Sequence, residues 1–384
     1  MTAWHLACSA CDHASSPRPL AALCPACGAP QLVRYAFPDR AAQIPARWRE
    51  RAPGMWRYRE LLPIADDETP VSLGEGGTPL IELVRTGERL GLRLLLKEEG
   101  GNPTGSFKDR GMSAAVTRAT HDGATSFVLP SAGNAGVALA AYAARAGRPA
   151  TVFIPEDTPA AVVARCRIYG ADVRTVSGLI SDCGTRAAEE ARRTGAFDLS
   201  TLREPFRVEG KKTMGLEILE ALDWRPPDAV VYPAGGGTGL IGTWKALREA
   251  RQFGWIDEIP TRMYAVQADG CAPIVRAWEA RLDRAEPWED ARTVAWGLRV
   301  PSARGDALML RALRDSQGGA VGVPDREMLS ACERLARADG TATGIEGGAV
   351  LAGAERLAAT GDLRPGETVI LFNTGNLSNY GWYT

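Results

Sequence analysis

The sequence predicts an α/β protein, with two doubly wound α/β domains preceded by a small N-terminal zinc-ribbon-like segment. Three observations lead there. Short apolar runs such as LRLLLKEE, TSFVLP, PATVFIP and DAVVYP alternate with helical stretches from about residue 92 onward, and strands that alternate with helices build parallel sheets. The chain has 384 residues, 45% of them hydrophobic, enough to bury more than one core. Four of its eight cysteines are crowded into the first thirty residues.

Residues 1–35 form their own unit. Cys8-x2-Cys11 is followed, after twelve residues, by Cys24-x2-Cys27. Each turn offers two thiolates to one tetrahedral zinc, and two turns close the site. Pro25 and Gly28 suit the tight knuckle between ligands. A degenerate knuckle without metal has the same spacing. His5 and His13 lie nearby, but four cysteines fill the shell, so they read as solvated bystanders. Residues 36–71, rich in Arg, Trp and Pro, read as a short helical lead and structural arm.

The alternation follows. LRLLLKEE is a strand and RGMSAAVTRATHDG a helix with a Gly stop. TSFVLP is a strand, and AGVALAAYAARAG a small-residue helix. PATVFIP, PAAVVARCRIYG and ADVRTV repeat the pattern, and SDCGTRAAEEARRTG is a helix with a Ser or Asp cap. DAVVYP, RMYAVQA and ETVILF are further strands. Ligands in such folds sit at the carboxyl ends of strands, so the informative residues should follow strands.

Charge narrows the function. Lys+Arg (45) balances Asp+Glu (46) for a net charge of −1, which leaves no basic field for nucleic acid or an anionic membrane. The start, MTAWHLACSACDHASS, lacks the basic-then-apolar pattern of a secretory signal, and the apolar stretches are short and interrupted. Cys166, Cys183, Cys271 and Cys332 are scattered singly, unlike a disulfide framework. The expectation is a soluble cytoplasmic protein in a reducing compartment.

Four loops carry chemistry. Gly100 to Gly111, GGNPTGSFKDRG, places Lys108 between a strand and a helix start. The positive end of a helix dipole favours a neutral amine, the form a Schiff-base nucleophile requires. A surface lysine beside Asp109 and Arg110 has the same spacing. Ser131-Ala132-Gly133-Asn134-Ala135 follows TSFVLP, and its amides face a helix start, a ready carboxylate site; a plain left-handed turn is the alternative. Gly235-Gly236-Gly237-Thr238-Gly239 follows DAVVYP as a strand, a glycine loop and a helix, which makes a phosphate cradle. It lacks the GKS ending of a nucleotide P-loop and does not fit GxGxxG. Thr374, after ETVILF, can place a hydroxyl on a ring nitrogen, or serve only a polar turn.

Together, and in this order, these loops resemble the fold type II (tryptophan synthase β-like) pyridoxal-phosphate family. NPTGSFKDRGM is very close to the lysine motif of the threonine synthase family, and SLGEGGTPL, EPFRVEGKKT and GLRVP are similar to its segments over nearly the whole chain. The CxxC pair resembles an N-terminal extension some of its members carry. The resemblance implies pyridoxal 5'-phosphate as cofactor, held by Lys108 as the catalytic Schiff-base lysine. Asn134 would meet the cofactor's 3' oxygen, Gly235 to Gly239 its phosphate, and Thr374 its pyridine nitrogen. Ser131 to Ala135 would grip the substrate carboxylate and Arg207 a substrate phosphate. It also implies a large domain of residues 72–111 and 206–384, a small inserted domain of residues 112–205, the cofactor in the cleft between them, a structural zinc, and a homodimer.

Several loops depart from that family's usual wording. GNGGN is here Gly235-Gly-Gly-Thr-Gly239, STGNT is Ser131-Ala-Gly-Asn-Ala135, NPYR is Glu204-Pro-Phe-Arg207, and TGHGLKD is TGNLSNY. Three functions are therefore carried forward. One is conversion of O-phospho-L-homoserine and water to L-threonine and phosphate. Another is β-replacement or β-elimination on an O-activated serine or threonine. The third is a non-catalytic zinc-ribbon scaffold, against which an intact Lys108 and glycine loop argue.

Overall fold

The computed structural model describes residues 3–36 and 43–380; six residues of the helical lead (37–42) and the last four of the chain lie outside them. The chain falls into two compact units. Among the described residues, one comprises residues 3–36, 43–77 and 102–213, the other 78–101 and 214–380.

The first unit holds two sheets. Strand Ala3–Cys8 pairs antiparallel with Gln31–Ala36 and with the two-residue strand Ala14–Ser15, which forms the cysteine ribbon. A four-stranded parallel sheet runs in the order Asp172–Val176, Ala150–Pro155, Phe127–Pro130, Phe197–Asp198. The helices expected between these strands are present as Asn134–Arg145, Ala160–Ile168 and Ile180–Thr194. The last does not take its cap from Ser181 or Asp182. Leu179 is the cap residue, and the Asp182 carboxylate, one turn in, accepts its N–H at 2.7 Å. A carboxylate in the first turn also meets the positive end of the dipole. The helical lead contains helix Ile44–Arg49 and a 3-10 segment Met55–Leu61. Trp48 and Tyr58 are fully buried there, stacked edge-on at 4.8 Å.

The second unit is built on a six-stranded sheet. Its order is Gly319–Val323, Arg262–Ala268, Ala229–Pro233, Thr368–Asn373, Arg93–Glu98, Leu80–Glu82. All neighbours are parallel except the edge strand Leu80–Glu82. Leu94, Leu96, Val231, Val266, Val369 and Leu371 pack with Ala349, Val350 and Leu351 of helix Ile345–Ala359 into one core. Central strands buried on both faces read as continuous apolar runs, which is why VILF and AVVY stand out in the sequence. Within the core of this unit Lys97 is buried against Glu217 at 2.6 Å and also donates to the Thr78 carbonyl.

Helix Lys108–His121 and residues 206–213 group with the first unit, whereas the sequence reading places residues 72–111 and 206–384 in the large domain. The physical reason is local. Helices Lys108–His121 and Phe206–Ala221 meet at Gly111 and Gly210, where a β-carbon on Gly210 would overlap the Arg110 carbonyl oxygen. Arg110 Nη1 then donates to Thr213 Oγ1 at 2.9 Å.

That crossing makes a prediction. Gly210→Ala forces backbone apart and should destabilise the protein by at least about 2 kcal/mol in urea unfolding. Gly184→Ala, on a helix face where a β-carbon meets nothing within 4 Å, should instead be neutral or stabilise by up to about 1 kcal/mol. Equal effects at the two sites would refute the packing argument.

Candidate active site

In the first unit the loop before Lys108 is tied down at three points. The Thr104 N–H donates to Asp109 Oδ2 at 2.6 Å and its hydroxyl to Oδ1. Gly105 turns the chain with φ +77°, a conformation that favours glycine. Asn102 Oδ1 accepts the Gly76 N–H at 3.0 Å. Lys108 thereby becomes the first residue of helix Lys108–His121, half-buried, with Nζ 4.1 Å from the centre of the Phe107 ring.

A second lysine shares that ring. Lys211 Nζ lies 5.6 Å from its centre, is fully buried, and donates to the Arg207 carbonyl at 3.4 Å. It occupies the space a Gly111 side chain would fill. Burial, with the Arg207 and Lys108 cations adding to it, pushes the Lys211 amine well below the ordinary lysine range. Glu204 Oε2 caps the helix by accepting the N–H groups of Phe206 at 2.6 Å and Arg207 at 3.0 Å, and burial pushes its carboxyl up to about 7.

The loop after strand Phe127–Pro130 is closed by Ser131. Its hydroxyl accepts the N–H of Gly136 at 2.9 Å and of Gly133 at 3.2 Å, and Asn134 opens the next helix. One of the amides expected to face a substrate carboxylate, that of Gly133, is thus engaged by Ser131 itself. Arg207 is only 1% exposed, with Nη1 donating to the Leu199 carbonyl at 2.7 Å and to Thr201 Oγ1 at 3.4 Å.

In the second unit, strand Ala229–Pro233 leads into Gly235–Gly237 and helix Thr238–Gln252. Gly237 has φ +79° at the cap position. A β-carbon on Gly235 would strike the Gly297 carbonyl oxygen, and one on Gly237 the Met309 side chain. The amides of a helix's first turn have no intrahelical acceptor, so this loop presents donors where only glycine lets the backbone lie so close. Those residues fit a phosphate group. Thr374 follows strand Thr368–Asn373 and is buried.

The cysteine ribbon gathers its thiols. The sulfurs of Cys8, Cys11, Cys24 and Cys27 all lie within 4.8 Å of one another, with Cys8 to Cys27 at 3.5 Å and Cys11 to Cys24 at 3.8 Å. Four thiolates on a tetrahedral zinc stand about 3.8 Å apart, so the donor set fits that metal. Burial raises the Cys8 thiol, but amide donors from Ala10 and Cys11 and its neighbouring thiols outweigh it and leave the group at about 7.

A family model described as pyridoxal-phosphate dependent enzyme matches residues 71–375. The chain belongs to that family. It is 37% identical to the threonine synthase of Methanocaldococcus jannaschii over 330 residues, covering 85% of this chain and 81% of that protein. It is 34% identical to the threonine synthase of Methanosarcina acetivorans over 376 residues, covering 97% and 92%. Among solved structures, a threonine deaminase from T.th. aligns with a TM-score of 0.66 at 27% identity, over 78% of this chain and 92% of that one. Maize serine racemase shares the fold, with a TM-score of 0.70 at 22% identity, over 79% and 89%. The protein is a pyridoxal-phosphate-dependent lyase of threonine synthase-like type.

Of the residues singled out from sequence, Lys108, Ser131, Ala132, Gly133, Asn134, Ala135 and Arg207 lie in the first unit; Gly235, Gly236, Gly237, Thr238, Gly239 and Thr374 lie in the second. Sequence reasoning missed Lys211 and Glu204. The signal was present: Arg207 and Lys211 are four apart on a helix and so share a face.

The ribbon and the lysine loop can each be tested. Purified protein should carry about one zinc per chain, and Cys11→Ser should lose it in metal analysis; a wild-type content near zero would reject the site. Burial pushes the Asp109 carboxyl up to about 7, although Thr104 donates to it twice. Its unfolded value is about 3.9. The folded state therefore holds this proton more tightly, and the contribution to stability falls as pH rises from about 4 to about 7. Asp109→Asn should remove that part of the slope when unfolding free energy is measured against pH.

Proposed function

We propose that this lyase converts O-phospho-L-homoserine and water to L-threonine and inorganic phosphate. The observation that carries the reading is the placement of Lys108. It starts a helix after a strand, against an aromatic ring, beside a cluster containing Arg207 and the buried Lys211. The similarity to proteins named threonine synthase, over most of both chains, supports it. When bound, pyridoxal 5'-phosphate supplies an electron sink that acidifies the substrate's α-carbon. Lys108 would hold the cofactor and move protons at its Nζ. Gly235 to Gly239 would hold the cofactor phosphate through backbone N–H groups, and Asn134 would donate to its 3' oxygen. Thr374 would offer the pyridine nitrogen a hydroxyl rather than a carboxylate, a partner that suits elimination and replacement over transamination. The Ser131 to Ala135 loop orients the substrate carboxylate, and Arg207 pairs with the substrate phosphate.

One observation favours a second reading. Arg207 is almost wholly enclosed and spends Nη1 on Leu199 and Thr201, which suits a substrate without a phosphate, such as an O-activated serine or threonine undergoing β-replacement or β-elimination. Phosphate release from O-phosphohomoserine separates the two.

Lys108→Ala should abolish turnover and the yellow absorbance of the bound cofactor, while the glycine loop still binds the cofactor weakly. Full activity in that variant with added cofactor would sink the central assignment. Arg207→Ala, checked by thermal melting for folding, should raise KM for the phosphorylated substrate about tenfold or more, the loss of a hydrogen bond to a charged group. An unchanged KM would put β-replacement ahead and leave the cofactor site standing.

A further inference from the structure

Glu98 and Asn373 end neighbouring parallel strands of the second unit and are direct register partners. Asn373 Nδ2 donates to both Glu98 carboxylate oxygens at 2.8 Å. The Gly100 N–H donates to Glu98 Oε1 at 2.7 Å, and Asn373 Oδ1 accepts the Gly344 N–H at 3.2 Å. One carboxylate therefore gathers three loops: the one leaving Glu98, the one leaving Asn373, and the one that starts helix Ile345–Ala359.

The packing around this clamp has no slack. A β-carbon on Gly100 would lie 2.6 Å from Glu98 Oε1 and 3.1 Å from the Asn376 nitrogen. On Gly344 it would lie 2.9 Å from the Gly375 carbonyl oxygen, and on Gly347 2.9 Å from Asn373 Oδ1. Both sides of the Thr374–Asn376 segment are thus bounded by backbone that the Glu98–Asn373 pair holds in place. Glu98 meets this pair of amide donors without an ion-pair partner of its own among the described residues. Burial pushes its carboxyl above the usual range, and the Glu99 charge adds to the push. An amide at position 98 would cost less to bury, but it would turn one oxygen into an NH2 group facing the Asn373 NH2.

We propose that Glu98 is a positioning residue: through Asn373 it sets the place of Thr374 and, with it, the polar contact at the cofactor's pyridine nitrogen. This rests on the assignment of Thr374 given above. The hydroxyl of Thr374 lies one residue beyond the Asn373 amide, so a change in that amide's anchorage moves the hydroxyl first.

The test compares holoenzymes of wild type, Glu98→Gln, Glu98→Ala and Thr374→Ala. Three quantities are read: the absorption band of the bound cofactor, the cofactor retained after extended dialysis, and amide hydrogen exchange across residues 374–376. Glu98→Gln should shift the band in the same direction as Thr374→Ala, lose cofactor several-fold faster than wild type, and speed exchange at Gly375 and Asn376. Glu98→Ala should do the same more strongly, and the isosteric Gln variant keeps the test open if the Ala variant does not fold. If Thr374→Ala moves the band while folded Glu98→Gln keeps the wild-type band, retention and exchange, the positioning role is overturned and the Thr374 assignment stands. If Thr374→Ala leaves the band and retention unchanged, the Thr374 assignment fails, and the proposed consequence of Glu98 fails with it.

Discussion

Two helices that cross without β-carbons between them set the geometry of the lysine half-site. At Gly210 the second helix lies against the Arg110 carbonyl, and at Gly111 the first makes room for the Lys211 amine. Any side chain at either position would separate the helices. Lys108 opens one helix and Arg207 lies in the first turn of the other. The closeness of backbones therefore decides which lysines share the Phe107 ring. The loop before Lys108 is fixed by its own bonds, but the direction in which the lysine leaves it is fixed by this crossing.

Once charged groups are enclosed this way, their partners matter more than their number. Lys97 with Glu217, Lys212 with Glu209, and Lys245 with Glu249 are all buried and paired. Removing one member of such a pair strands the other and costs about 3–5 kcal/mol. Lys211 is different in kind. Its Nζ has a 3.4 Å bond to a carbonyl and the edge of an aromatic ring's field, with two cations near it. Burial and those two cations push its amine well below the ordinary lysine range, with the Glu204 charge pulling the other way. Lys97, Lys212 and Lys245 thus differ from Lys211 in that each has a carboxylate oxygen at ion-pair distance, whereas the hydrogen bond of Lys211 goes to a carbonyl.

The parts of the fold legible in the sequence were those with a period. VFIP, AVVY and VILF could be read because strands enclosed on both faces have no polar residues to interrupt them. The CxxC pairs could be read because metal-ligand spacing is local. The ribbon strands Ala3–Cys8 and Gln31–Ala36 could not: they carry His5 and Arg34 among apolar residues. The Ser or Asp cap expected at the helix Ile180–Thr194 failed for a related reason. Asp182 does satisfy an end of the helix, but from its third position and toward Leu179, which a residue-type rule at the cap position cannot distinguish. In the candidate site, single loops were visible while Glu98 with Asn373 was not, because those two are 275 residues apart and meet only through strand register.

That same separation bears on substrate choice. The fold recurs in solved proteins described as a serine racemase and a threonine deaminase, at TM-scores of 0.70 and 0.66. A frame shared by differently named activities cannot by itself select among them. Selection must come from side chains that the frame leaves free to vary, and the Leu199–Arg207 segment is such a place. It carries a cation whose Nη1 is held by a backbone carbonyl and a hydroxyl, with a carboxyl of raised pKa at its own helix cap. A dianionic phosphate needs several charge-assisted donors. In the proposed function Arg207 would offer such donors only if the attraction of the anion exceeded what Leu199 and Thr201 already supply, and that comparison, more than the cofactor chemistry, would decide whether a phosphorylated amino acid is the preferred substrate.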